Sequence, residues 1–288
     1  MDILITGILL GATYSLIAMG LTLQYGVARI MNLANGEMLV AGAFGAFWVF
    51  TSQHLSPYAA AVFVVPAAFL LNWVIYRVLM RPLVRRAKNR GMLEVDTILA
   101  TFGLSFVFVG VMLLAFGGNF FTYSYLAEPY VVFGSPFGQN RLVASAAAAL
   151  LCGLLYWGIH RTRPGMAIRA VAVDPTAAGL VAINVPQVSA FAFALGGAVT
   201  AAGGIALSSF LTMDASIGVV FTMKALIIVI MGGVGDVRGA MIASLILGLA
   251  ETAVASLIDP GLTLAAAYLL FVLVLLLRPE GLFGRRSS

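Results

Sequence analysis

Charge is scarce in this chain: Asp, Glu, Lys and Arg together supply 9% of its 288 residues. A soluble domain of that length needs a solvated, charged surface, so the scarcity excludes one. Cysteine is nearly missing as well. Cys152 stands alone within an apolar run, which rules out an internal disulfide and leaves a packed or lipid-facing thiol. The two histidines, His54 and His160, fall at opposite ends of apolar stretches. No Ser/His/Asp set or metal-ligand spacing unites them, so neither a catalytic constellation, a metal site nor a bound cofactor is expected. The start of the chain lacks the basic region and cleavage site of a secretory signal, and its first apolar run is long enough to remain as a span.

Hydrophobic residues supply 62% of the chain, and the mean hydropathy is +1.06. Apolar stretches occupy 3–23, 37–51, 57–80, 96–116, 142–160, 187–210, 217–231, 239–258 and 261–277. A helical span needs about 20 residues. The runs are continuous and do not alternate as barrel strands do. The expected fold is therefore an all-α integral membrane protein: a polytopic bundle of eight to nine transmembrane segments in a single domain over 1–288. The second and seventh segments are short, which predicts tilted, broken or re-entrant helices there.

Basic residues set the orientation. Arg81, Arg85, Arg86, Lys88 and Arg90 follow the third segment, and Arg161, Arg163 and Arg169 follow the fifth. Arg278, Arg285 and Arg286 close the chain. One assignment puts every cluster, with Arg29 and Arg238, on the cytoplasmic side. The N-terminus is then outside, the C-terminus is cytoplasmic, and 117–140 forms the main outer loop. The net charge of +5 belongs to these flanks, so it signals membrane lipid as partner and not nucleic acid. Ser56-Pro57, Asp174-Pro175 and Asp259-Pro260 each set a capping side chain before a proline at the first helical position. Gly7, Gly11 and the pairs Gly196-Gly197 and Gly203-Gly204 permit close helix approach.

Four places break the apolar pattern. The run 29–37 carries Asn32, Asn35 and Glu37, too polar for lipid, with Gly36 free to turn sharply. It reads either as a broken helix beside a transport path or as an inner loop whose Glu37 favours the next helix N-terminus. A carboxylate at membrane depth costs about 2.5–3.5 kcal/mol unless it meets water or a partner. Lys224 and Glu251 lie within two apolar segments joined around 232–239. Their heights differ by roughly 7–8 Å at 1.5 Å per residue. They pair only if the lysine stretches; the alternative is a lysine that snorkels outward. The glycine-rich run 232–239 lacks the lysine and hydroxyl of a phosphate-binding loop and reads as a tight inner turn, with Asp236 beside Arg238. The inner segment 163–186 reads as two short, weakly charged helices that either dock on another protein or lie on the membrane.

Four motifs in order over nearly the full chain carry a family resemblance. They are Tyr25-Gly-Val with Asn32-Leu-Ala-Asn-Gly-Glu37; Gly165-Met-Ala-Ile-Arg-Ala with Asp174 and Ile183-Asn-Val; Gly232-Gly-Val-Gly-Asp-Val-Arg-Gly-Ala240; and Arg278-Pro-Glu-Gly-Leu-Phe-Gly284. Together they resemble the integral permeases of branched-chain amino acid ABC importers. Asn35 stands where that family usually carries histidine. The resemblance implies a permease that forms its path with a second homologous permease chain. It also implies two cytoplasmic ABC ATPase subunits that use the ATP, and an external substrate-binding protein. Gly165, Arg169, Ala170, Asp174, Ala177, Gly179 and Ile183 would lie in the segment that couples the bundle to the ATPase. Asn32, Asn35, Glu37 and Glu251 are the candidate path residues. A self-sufficient, ion-coupled secondary transporter using Glu37, Lys224 or Glu251 is the competing class.

Overall fold

The structure is a computed structural model and describes residues 2–87, 89–126, 128–132 and 135–284. Lys88, Arg285 and Arg286 of the basic clusters lie outside the described residues. Helices α1 (Asp2–Ala28), α2 (Asn35–Gln53), α3 (Ala61–Ile75), α4 (Arg81–Arg86), α5 (Arg90–Phe116) and α6 (Gln139–Arg161) fill the first half. Helices α7 (Arg163–Val173), α8 (Pro175–Leu180), α9 (Val185–Ser208), α10 (Gly218–Gly232), α11 (Val237–Leu257) and α12 (Thr263–Leu277) follow. Seven helical stretches are long and apolar enough to cross a membrane. One of them, Pro57–Arg86, merges α3 and α4 through a wide turn at Tyr76–Met80. Against nine expected segments, the remaining two are the short ones, α2 and the 15-residue α10.

The expected proline caps form. Ser56 accepts from the Ala59 amide, Asp174 from Thr176 and Ala177, and Asp259 from Gly261. Helices α1 and α9 make the core, with 56% and 78% of their apolar windows buried, against 11% for α5 and α12. The outer ring therefore offers its side chains to lipid or to another chain, as a protein dissolved in hydrocarbon can.

Glycine decides how closely the core helices cross. A Cβ on Gly7 would stand 2.8 Å from the backbone of Leu249, and one on Gly11 2.7 Å from that of Leu245. Gly20 and Gly196 face each other across α1 and α9 in the same way. Gly26 of α1 meets Gly235 in the turn between α10 and α11, and Arg238 Nε donates to the Tyr156 hydroxyl at 2.7 Å. The ends bearing Arg29, Arg161 and Arg238 thus gather at one end of the bundle.

At the other end the segment between α5 and α6 carries a small hairpin, β1 (Pro129–Val132) against β2 (Ser135–Gly138), which the sequence did not suggest. A two-stranded backbone bridge joins Phe121 to Met213. Phe44 stacks on Phe116 at 4.4 Å, with Phe121 edge-on at 5.1 Å, so rings close over the outer half of α2.

Candidate functional site

The segment between α1 and α2 is not a surface loop. After a left-handed turn at Arg29 (φ 57°), residues 30–34 run through the interior beside three helices. The Leu33 amide donates to Thr101 Oγ1 at 3.1 Å, halfway along α5. The Gly36 amide donates to Thr222 Oγ1 at 2.8 Å in the first turns of α10. Thr200 Oγ1 donates to Asn35 Oδ1 at 3.0 Å, well inside α9. Helix α2 therefore starts within the bundle, and the extended stretch before it supplies the rest of the crossing. Backbone of this kind is tolerated at membrane depth only where protein satisfies it, and Thr101 and Thr222 do so. The segment is buried inside the bundle and is not a surface loop, while Glu37 stands in the first turn of α2, as the inner-loop reading also had it.

Asn32 is pinned from both sides. Its Nδ2 donates to Gln24 Oε1 at 2.9 Å, and its Oδ1 accepts from the Ala34 amide at 3.0 Å. Gln24 Nε2 in turn donates to the Phe193 carbonyl on α9. Glu37 is fully buried, and neither carboxylate oxygen has a hydrogen-bond partner among the described residues. Its carboxylate rests on Gly218, the first residue of α10, where a Cβ would stand 2.5 Å from Oε2. Glu37 thus sits in the first turn of α2 and faces the first turn of α10. Two helix N-termini, each with partial positive charge, converge on one carboxylate. Asn35 Nδ2, also buried, has no hydrogen-bond partner among the described residues.

Glu251 lies elsewhere. Lys224 Nζ reaches Glu251 Oε2 at 2.8 Å and donates to the Tyr14 hydroxyl at 2.8 Å. Tyr14 donates to the same Oε2 at 2.8 Å, closing a triad among α1, α10 and α11. The snorkelling alternative for Lys224 is therefore wrong. Its four-carbon stem spans the height difference, and the interior offers a carboxylate that the lipid does not. Asp236 and Arg238 do not pair either. Asp236 caps α11 through the amides of Arg238 and Gly239, while the Arg238 guanidinium turns to Tyr156. Cys152 is packed, with Sγ 3.0 Å from Ser15 Oγ.

The segment 163–186 forms two short helices, as expected. Thr162 caps α7, and Asp174 ends α7 and caps α8. Gly165, Ile168 and Val171 turn inward against Ile159 and Leu23; a Cβ on Gly165 would meet the carbonyls at the end of α6. Ile183 packs partly against the same cluster. Arg169, Asp174, Ala177 and Gly179 are exposed, and Ala170 is half-buried. The outward face carries Met166, Val173, Leu180 and Val181, which are 51–86% exposed.

Sequence reasoning missed Gln24, Thr200, Thr222, Tyr14 and Gly218. The only signal for the first four was a polar group within an apolar run. Nothing in the sequence marks Gly218 as the neighbour of Glu37.

A bundle of spanning helices with one interrupted crossing and polar groups at the break defines a multi-pass membrane protein of transporter type. Residues 3–277 match the profile of the family described as the branched-chain amino acid transport system permease component, and the chain belongs to that family. It is 30% identical to the high-affinity branched-chain amino acid transport system permease protein LivH of Salmonella typhimurium, over 97% of this chain and 94% of the relative. It is 31% identical to the corresponding permease protein BraD of Pseudomonas aeruginosa, over 98% and 95%. A probable branched-chain amino acid transport permease protein LivH of Methanocaldococcus jannaschii is 23% identical over 93% and 88%. Among solved structures, PsaBC from Streptococcus pneumoniae in complex with Fab aligns over 98% of this chain and 94% of its own. Its TM-score is 0.50 at 12% identity, a likeness of fold alone.

Proposed function

We propose that this chain is a translocation subunit of an ATP-driven importer for branched-chain amino acids in the cell inner membrane. It forms the path with a second homologous permease. Two cytoplasmic ABC ATPases hydrolyse the ATP, and an external binding protein delivers the substrate. Family membership supports the substrate class. The observation that carries the ATPase assignment is α7–α8: an exposed apolar face on two capped helices at the basic, cytoplasmic end of the bundle. Arg169 and Asp174 lie on or beside that face. ATPase closure pressed onto it would move α1 and α9, against which α7 packs. The N-terminus is then external and the C-terminus cytoplasmic.

Asn32, Asn35 and Glu37 are the path residues we favour. Glu37 has two free oxygens for an ammonium group, and Asn35 Nδ2 is a free donor for a carboxylate. An amino-acid zwitterion presents both groups. Glu251 remains the fourth path residue: its Oε2 is held by Lys224 and Tyr14, and its buried Oε1 has no partner among the described residues.

The test is uptake of labelled leucine into vesicles carrying this chain with its partners. Uptake is expected to require ATP and the binding protein, and to fall in Glu37→Gln while ATP hydrolysis persists. Uptake by this chain alone, driven by a proton or sodium gradient and lost in Glu251→Gln, would establish the secondary-transporter class instead.

A further inference from the structure

One helix face changes character along its length. Leu70, Val74 and Val78 are 64%, 53% and 71% exposed on the stretch Pro57–Arg86, and their spacing puts them on one stripe. The same stripe continues through Arg77, Arg81 and Arg85. The wide turn at Tyr76–Met80 shifts the helix register where the character changes.

At that change a cleft of about 80 Å³ opens, lined among others by Trp73, Arg77, Arg81, Asn184 and Gln187. A second hollow continues it along Arg77, Arg81, Pro82, Arg85 and Arg86. Among the described residues no carboxylate pairs with these arginines. The Arg77 guanidinium lies over the Trp73 ring at 5.1 Å, which holds it at the cleft mouth. Arg81 Nε is buried and has no hydrogen-bond partner. The far wall is the N-terminus of the 24-residue α9, capped by Asn184. Guanidinium groups and the side-chain amides of Asn184 and Gln187 surround one space at the positive end of α9; since Pro186 has no amide proton and the Gln187 and Val188 amides donate to Asn184, the arginines carry the attraction for an anion.

We propose that this cleft binds the phosphate of an anionic phospholipid headgroup from the inner leaflet. The acyl chains would lie on Leu70, Val74 and Val78. The apolar stripe directly above the arginines selects a lipid over a free phosphate, because the site continues into hydrocarbon. Trp73 stands at the boundary, where indole rings favour the interface. Basic clefts between helices at a cytoplasmic membrane face suit such headgroups. The bound lipid would tie α3 and α4 to α9, the most buried helix of the core.

The test is native mass spectrometry of the full-length chain in its complex, exchanged in mild detergent against phosphatidylglycerol or phosphatidylcholine. One phosphatidylglycerol per chain is expected to be retained, with phosphatidylcholine washed out. Arg77→Gln with Arg81→Gln should weaken retention about thirtyfold, the loss of two basic contacts. Arg161→Gln, at the same membrane face but outside the cleft, should leave it unchanged. Arg81→Lys, which keeps the charge, should retain lipid more tightly than Arg81→Gln and guards against misfolding of the double variant. Equal loss in Arg161→Gln would reduce the effect to general surface charge and overturn the proposal. So would displacement of the lipid by inorganic phosphate, which would assign the cleft to a free anion. Loss of a protein subunit from the double variant, with lipid occupancy intact, would assign it to a protein contact.

Discussion

Lys224 Nζ stands 2.8 Å from Glu251 Oε2, with the Tyr14 hydroxyl 2.8 Å from both. Three helices are joined by an ion pair whose side chains are 11% and 3% exposed. Breaking a buried pair strands one ion, whereas removing both need not. Lys224→Met should destabilise the purified protein by about 3–5 kcal/mol, and Lys224→Met with Glu251→Leu by clearly less. Thermal unfolding in one detergent measures both. A double variant as unstable as the sum of the singles would mean that the pair is not coupled. Tyr14→Phe removes one hydrogen bond and should cost about 1 kcal/mol.

Gly218 owes its identity to Glu37. A Cβ there would stand 2.5 Å from Oε2 and 2.7 Å from Cδ of the carboxyl group. Gly218→Ala should cost about 1–3 kcal/mol by overpacking. In a Glu37→Ala background the same change should cost little, because the colliding group is gone. The readout is the difference in thermal midpoint between the two backgrounds, and equal shifts in both would show that the contact does not matter.

Asp174 serves two helices at once, ending α7 and accepting from the Thr176 and Ala177 amides of α8 at 2.8 and 3.1 Å. Asp174→Ala should loosen α8 by about 1 kcal/mol, the usual worth of an N-cap. Asp174→Asn can still accept those bonds and should behave as native. The check is amide hydrogen exchange across 175–180, with ATP-driven uptake in parallel. Matching losses in Ala and Asn variants would point to a charge contact with a partner instead of a cap.

Tyr123, between α5 and β1, reports on closure of that end of the bundle. Burial pushes its phenol up to about 12, against the Ser208 hydroxyl at 2.8 Å, which lowers it, and neighbouring Tyr58, which raises it. The folded state therefore favours the neutral phenol. Its contribution to stability is complete below the ordinary tyrosine value of about 10 and disappears as pH rises through the raised value. Phenolate absorbance should lose one late transition in Tyr123→Phe, near pH 12. Loss of a transition at the ordinary value instead would mean that the loop is open to water.

Much of the fold was legible because its causes are local. Ser56-Pro57, Asp174-Pro175 and Asp259-Pro260 announce helix starts through groups at most three residues away. Helix α10 was legible as too short and α2 as interrupted, because length and polarity are properties of the run itself. The candidate site was legible only as a list. Asn32, Asn35 and Glu37 stood out as polar, but the sequence left open whether they faced water at the inner surface. That choice depended on Thr101 and Thr222, which satisfy the interrupted backbone, and on Thr200, which holds the Asn35 side chain, from three other helices. The choice for Lys224 between stretching to Glu251 and snorkelling outward was also settled only by the packing of α10 against α1 and α11.

The sequence by itself determined that the chain dissolves in lipid, where its helices start and stop, and which ends carry the basic residues. Each follows from composition or near neighbours, and the solvent acts on every segment separately. Only the tertiary structure decided that α2 begins inside the bundle, and that Glu37 meets the N-terminus of α10. It also brought the closing run to the glycine turn, where the Leu282 and Phe283 amides donate to the carbonyls of Met231 and Gly232. These pairings depend on which helix faces which, set by glycine-sized gaps and satisfied polar groups in a densely packed interior.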